Sequence, residues 1–209
     1  MNPVIHYDTR DIPGRLELIA QRIDISVTTP QPRTHEAVSK LPGHENDRYM
    51  LKDLAHFIVR GTPQGGYASE IEPIRAVFRY LKNNIEYRQD LTDYDYYMSA
   101  GRTVLSGAGD CDDFLILGDA LLSSIGYTVG ARVISPDGAG WHIYNIAGVS
   151  PAFNGIPTRV IPFDASIRPG ADDIGDEPPM EYRNYEMQCT FKEGRVVGLR
   201  TIRENGIQK

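Results

Sequence analysis

One short stretch limits what this chain can fold into more than any other. It is Gly107-Ala108-Gly109-Asp110-Cys111-Asp112-Asp113-Phe114, followed by a long apolar run. The glycines let another backbone approach closely, and a cysteine then stands where a helix should begin. Phe114, Leu117, Gly118, Leu121, Leu122 and Ile125 share one helical face. Gly126 follows, where a left-handed glycine would stop the helix. A thiol in the first turn meets free N–H groups and the positive end of the helix dipole, both of which favour the thiolate. Two opposing considerations stand beside that reading. Cysteine is also a small residue that is often simply buried, and three flanking aspartates would raise a thiol pKa by like charge. Structural roles are expected for Asp112 and Asp113, as first-turn carboxylates on the helix dipole.

Composition removes several classes of function. The 209 residues are 41% hydrophobic and 24% charged, an ordinary globular balance. A net charge of −6 gives no basic footprint for nucleic acid. No apolar run approaches the length of a membrane helix, so no membrane partner is expected. The opening Met1–Asp8 has neither a basic region nor an apolar core of the signal-peptide kind. The expectation is synthesis in a reducing cytosol, with virion association open to a phage-encoded protein. Two cysteines, Cys111 and Cys189, build neither a disulfide framework nor a cysteine zinc site. Neither a cofactor nor a metal is expected. Asp110, Asp112 and Asp113 lack the twelve-residue calcium-loop pattern and its closing glutamate.

The chain divides at about residue 68. Residues 1–68 read as an N-terminal extension that packs on the main domain. Leu16, Ile19, Ala20 and Ile23 suggest a short helix after Pro13-Gly14, residues 25–29 an extended piece, 30–47 a loop, and Tyr49–Arg60 a second helix. Residues 69–209 form the main domain. Ser69-Glu70-Ile71-Glu72 has the capping-box spacing, and Pro73 suits a first turn, so a helix is predicted over 70–84. Tyr94, Tyr96 and Tyr97 either line a substrate cleft or cap a core edge. After the Cys111 helix come strand patterns at Thr128–Ile134, Trp141–Ile146 and Arg159–Phe163, then a hairpin over 185–203. Cys189 alternates with Met187 and Phe191 and should pack in the interior. Helices first and antiparallel strands after give an α+β class.

A cysteine nucleophile needs a base, and the base needs an orienting group. Of five histidines, His142 alone follows a glycine-rich turn at the start of a strand. Asp164 closes the next strand, so neighbouring antiparallel strands can present the two side by side. The proposed order is Cys111, His142, Asp164. The plain alternatives are a polar strand residue and a loop carboxylate that caps Ala165-Ser166.

These residues resemble the transglutaminase-like superfamily of papain-type cysteine enzymes. The likeness runs over about 70–167. It is carried by Glu70–Arg88 with its Asn84-Ile85-Glu86-Tyr87 ending, by Gly109-Asp110-Cys111-Asp112-Asp113 with Leu121-Leu122 and Ile125-Gly126-Tyr127, by Trp141-His142-Ile143-Tyr144, and by Pro162-Phe163-Asp164-Ala165. The resemblance implies a papain-like α+β fold, with the cysteine helix packed on an antiparallel sheet. It implies Cys111 as nucleophile, His142 as general base and acid, and Asp164 as orienter. The Cys111 N–H would be one oxyanion donor. The second stays open among Tyr87, Tyr94, Tyr96, Tyr97 and the Ser106–Gly109 backbone, and Trp141 either shields the site or packs. The function implied is cysteine-dependent hydrolysis or transfer at an amide bond, of peptidase, isopeptidase or transglutaminase type, on a peptide or protein substrate. The alternative is a structural or assembly protein, for example of a phage virion, that keeps the fold without catalysis. The extension or the C-terminal hairpin would then offer a partner surface, the hairpin by pairing the edge of Tyr185–Phe191 with another chain.

Overall fold

The computed structural model describes residues 5–12, 15–22, 41, 47–63, 67–91, 96–134, 142–149, 159–166, 173–176, 185–192 and 195–204. In chain order the strands are β1 (Ile5–Ile12), β2 (Arg15–Arg22), β3 (Glu86–Tyr87), β4 (Ala108–Gly109), β5 (Thr128–Ile134), β6 (His142–Val149), β7 (Arg159–Phe163), β8 (Tyr185–Lys192) and β9 (Arg195–Glu204). The helices are α1 (Arg48–Val59), α2 (Tyr67–Asn84), α3 (Ala100–Ser106) and α4 (Cys111–Ser124). The fold is α+β. β5 to β9 form one antiparallel sheet in the order β7-β6-β5-β8-β9. The helix that starts at Cys111 packs on that sheet, as the transglutaminase-like resemblance implied.

α4 is the centre of the core. Leu115, Ile116, Leu117, Leu121 and Leu122 have no exposed surface. Leu51 and Ala55 of α1 and Ile74, Val77, Phe78 and Leu81 of α2 belong to the same cluster, with Val129, Ala131 and Val133 of β5 and Ile143, Ala147 and Val149 of β6. A helix covered on every side needs no polar face. That is why α4 is buried from Asp112 to Leu122, whereas the sequence pattern marked only one stripe. Its end is the expected one: Ser124 closes the helix, and Gly126 sits at φ 92°.

Three local expectations are corrected. Residues 15–22 form β2, paired with β1, instead of a helix. Leu16, Leu18 and Ala20 alternate as readily as Leu16, Ile19, Ala20 and Ile23 follow a helical spacing, and eight residues are too few to decide between the two periods. α2 begins at Tyr67, so Pro73 lies inside it, not in its first turn. Proline there has no N–H to give the carbonyl of Ser69, and one helical bond is missing. The edge of β8 is also not open to another chain, because β5 takes one side and β9 the other. β9 forms the sheet edge instead.

The expectations for residues 25–40, Tyr94, Trp141 and the Cys189 side chain lie outside the described residues. Cys111 is a free thiol. Among the described residues, no helix is long and apolar enough to cross a membrane.

Candidate active site

The start of α4 is built by carboxylates. Asp110 is the N-cap, with extended backbone, and its Oδ1 accepts from the Asp112 N–H at 3.2 Å. Asp113 reaches back, its Oδ2 accepting from the Asp110 N–H at 3.3 Å, which completes a capping box. The other oxygen of Asp113 accepts from the Met98 N–H at 2.7 Å and ties the loop before α3 to the helix. Asp113 thus has the structural role expected of it, and Asp110 shares it as the N-cap, whereas Asp112 Oδ1 has no hydrogen-bond partner among the described residues. Gly109 must be glycine, since a Cβ there would stand 2.6 Å from the Asp113 Cβ. Cys111 is the first helical residue, so its own N–H has no acceptor within the helix.

Directly before α4, the strand β4 pairs in parallel with β3, with Tyr87 opposite Gly109. Arg88 N–H donates to the Gly109 carbonyl at 2.8 Å. This bridge sets Tyr87 beside the thiol, with its ring centroid 6.4 Å from that of Phe114. Burial raises the Tyr87 hydroxyl to about 12, assisted by the charges of Cys111, Asp110, Asp112 and Asp164. The hydroxyl therefore stays protonated and able to donate. Tyr97, in contrast, is buried in the core, deeper than either a cleft wall or a core edge with a wet hydroxyl.

His142 opens β6. Its Nε2 lies 2.5 Å from Asp164 Oδ2, and its ring stacks on Tyr144 at 5.7 Å between centroids. The pairing of Asn145 with Phe163 places Asp164 one residue past the β6–β7 ladder, next to His142. Asp164 is 1% exposed, and its Oδ1 accepts from the Ser166 N–H at 3.1 Å and the Ser166 hydroxyl at 2.7 Å. The loop-capping role and the contact with histidine are both present in one carboxylate, one oxygen for each.

The sulfur is reached from the same strand. The Ile143 N–H hydrogen-bonds to it and favours the thiolate. Burial is the largest influence on Cys111 and raises its pKa well above that of an ordinary thiol. The charges of Asp110, Asp164 and Asp113 act in the same direction. These influences favour the protonated thiol at rest. So the structure brings Cys111, His142 and Asp164 into one neighbourhood. His142 and Asp164 are joined directly, and Cys111 is joined through Ile143 and through the field of Asp164. A direct hydrogen bond between the sulfur and the imidazole is not present among the described residues. Such bonds are often long before substrate arrives.

Asp110, Asp112 and Asp113 each offer an oxygen within 4.8 Å of the others, a distance at which they could share a cation. Asp112 is buried, its Oδ1 has no hydrogen-bond partner, and burial with the charge of Asp110 raises its carboxyl well above the usual range. Two features of the sequence point to this neighbourhood, the aspartates and His142. It held none for Ile143, because a backbone donor leaves no mark on residue identity.

No protein-family model and no characterised protein sequence matches the chain. Solved structures do. A candidate cysteine protease from Cytophaga hutchinsonii superposes with a TM-score of 0.44 at 22% identity, over 57% of this chain and 37% of that one. A candidate protease from Parabacteroides distasonis gives 0.46 at 11% identity, over 84% of this chain and 41% of that one. LapG from Legionella pneumophila, EGTA-treated, gives 0.47 at 16% identity, over 82% of this chain and 87% of that one. The chain spans less than half the length of the first two.

Proposed function

We propose that the protein is a cysteine-dependent amide-bond hydrolase or transferase that works through a thioester. The observation that carries this reading is the 2.5 Å contact between His142 and the buried Asp164, one residue along the chain from the N–H that binds the Cys111 sulfur. Asp164 holds Nε2, so Nδ1 is the ring nitrogen left to receive a proton. In the reaction, the Cys111 S–H proton passes to Nδ1 as the sulfur attacks the substrate carbonyl carbon. The oxyanion so formed accepts hydrogen bonds from the Cys111 N–H and the Tyr87 hydroxyl. On collapse the C–N bond breaks, and the imidazolium gives its proton to the departing amine. A thioester remains on Cys111. Water, with His142 as base, adds to the thioester and releases the acid and the thiol. If an amine adds instead, the product is a new amide. Asp164 orients the ring and stabilises its charged form throughout.

A protonated resting thiol fits a proton transfer made during attack, not a standing thiolate–imidazolium pair. The raised thiol pKa also fits a second reading, in which Cys111 is a half-buried, inert thiol and the fold serves assembly. One experiment separates the two readings. The protein and Cys111→Ala are incubated with a peptide mixture, and mass spectrometry follows acyl adducts on Cys111 together with released amines. The enzyme reading expects adduct and amine from the unaltered protein and neither from the variant. Amine release that survives Cys111→Ala, or no adduct under any condition, sinks it.

A further inference from the structure

Within the apolar contact of α4 with β6, one buried amide bonds the two directly. Asn145 is 2% exposed and lies on β6, three residues past His142. Its Nδ2 has two hydrogens. One is donated to the Leu115 carbonyl at 2.8 Å and the other to Asp119 Oδ1 at 2.9 Å. Both acceptors are on α4, one helical turn apart, and Leu115 is itself one turn past Cys111. Gly118 lies between them. A Cβ at Gly118 would stand 2.7 Å from Asn145 Oδ1 and 2.9 Å from Nδ2, so the helix comes this close to the strand only because residue 118 has no side chain. On the other side, Asn145 pairs in register with Phe163, the residue before Asp164.

Apolar side chains on a helix can slide along a sheet by a fraction of a turn at little cost, because dispersion is not directional. Two hydrogen bonds from one rigid amide to two points on a helix do not permit that slide. What they hold fixed is the register between α4 and β6. That register decides which group of β6 meets the Cys111 sulfur. We propose that Asn145, bonded to Leu115 and Asp119 across Gly118, is a positioning residue that sets the spacing of Cys111 from His142. The inference rests on the cysteine-enzyme reading above. Displacement of a reacting group by about 1 Å can cost on the order of a hundredfold in rate, so a joint of this kind acts on function well before it acts on folding. The second oxygen of Asp119 has no hydrogen-bond partner although it is buried. Burial keeps this carboxyl largely protonated, its pKa raised well above the usual range. The side chain thus accepts from Asn145 as a neutral group, which an asparagine can imitate.

The test is the pH profile of iodoacetamide alkylation at Cys111, read on the Cys111 peptide by mass spectrometry so that Cys189 does not contribute. His142→Ala in the otherwise unaltered protein first defines the part of the profile that depends on the imidazole. Asn145→Ala should lose that part at least tenfold while circular dichroism shows a folded protein at the assay temperature. Asp119→Ala, the milder variant, should lose it in part, and Asp119→Asn should restore it. A folded Asn145→Ala with the parent profile overturns the proposal. If Asn145→Ala does not fold, the Asp119 pair decides: equal profiles for Asp119→Ala and Asp119→Asn overturn the proposal as well. If His142→Ala itself leaves the profile unchanged, the cysteine-enzyme reading fails, and the positioning role falls with it. That outcome is distinct from a failure at Asn145 alone.

Discussion

Replacement of Asp110 by asparagine should make Cys111 more reactive. Asparagine caps a helix about as well as aspartate does, so its side-chain oxygen still accepts from the Asp112 N–H and the start of α4 is kept. What disappears is a negative charge, the largest influence after burial that raises the thiol pKa. At an effective dielectric of ~20, two charges a few ångström apart interact by about 3–4 kcal/mol. Asp110 is half-exposed, and solvent screening reduces such a figure to about 1 kcal/mol, a little under one pH unit. Removal of the charge lowers the pKa, so at any pH below it the thiolate fraction rises by about five- to tenfold. A less basic thiolate is also a weaker nucleophile, with a Brønsted coefficient of about 0.4–0.5, which returns roughly half of the gain on a logarithmic scale. The net expectation is an alkylation rate about threefold higher for Asp110→Asn between pH 6 and 9. Iodoacetamide with peptide-level mass spectrometry measures it, and an exposed control such as Asp53→Asn should show no change. If Asp110→Asn alkylates at the parent rate or more slowly, like charge from the cap does not restrain the thiol, and the electrostatic account of this helix start is wrong.

Two further substitutions test the packing that carries the site. Asp119 keeps its proton in the folded state because it is buried, whereas the unfolded chain releases it near the ordinary carboxylate pKa. Its contribution to stability is complete below that pKa and declines as pH rises towards the folded value, by up to about 1.4 kcal/mol for each pH unit. Urea unfolding should therefore show Asp119→Asn gaining on the parent protein from pH 4 to pH 8, and a constant difference would refute the assignment. Gly101→Ala would place a Cβ 2.3 Å from Asp47 Oδ1, and Asp47 is a buried carboxylate whose other oxygen accepts from the Gly101 N–H at 2.8 Å. Overpacking of this kind costs about 1–3 kcal/mol, visible as a lower thermal midpoint with the alkylation profile of Cys111 unchanged.

The elements legible from sequence are those with a strong local period or a clear stop. Thr128–Ile134 alternates over seven residues and is β5, and the hairpin over 185–203 differs from β8–β9 by one residue at its end. Gly126 ends α4 as expected, because only a residue without a Cβ takes its positive φ cheaply. Shorter signals fail. α3 has a readable cap in Ser99, which accepts from the Arg102 N–H at 3.3 Å, and a left-handed stop at Gly107, yet seven residues hold too few apolar positions to show a face. The order of strands is a long-range property. Nothing local tells β8 to pair with β5 on the side away from β6. The same limit applies within the site. Cys111, His142 and Asp164 carry chemical labels in their side chains, so the sequence marks them as candidates. In sequence Gly118 is one more member of an apolar stripe, although its role is to leave room for Asn145.

That difference bears on what the flanking carboxylates mean. In sequence, Asp110, Asp112 and Asp113 oppose a thiolate by like charge, with a helix-dipole role for Asp112 and Asp113 set against it. In the structure, Asp110 and Asp113 cap the helix that aims Cys111 at β6, and Asp113 also binds the Met98 N–H. Two of the charges that add to burial in keeping the thiol protonated are therefore also the ones that fix where it stands. Under the proposed mechanism, a site arranged in this way holds Cys111 in a fixed place but uncharged. The proton then leaves only when a base is in reach and a carbonyl carbon is there to take the sulfur's electrons. His142 has its outer nitrogen on Asp164 and its ring against Tyr144, so its freedom to turn away is small. Under that proposal, placement rather than a lowered thiol pKa is what this architecture contributes. For that reason, substitutions that shift α4 against β6 should cost more activity than substitutions that alter charge at the cap.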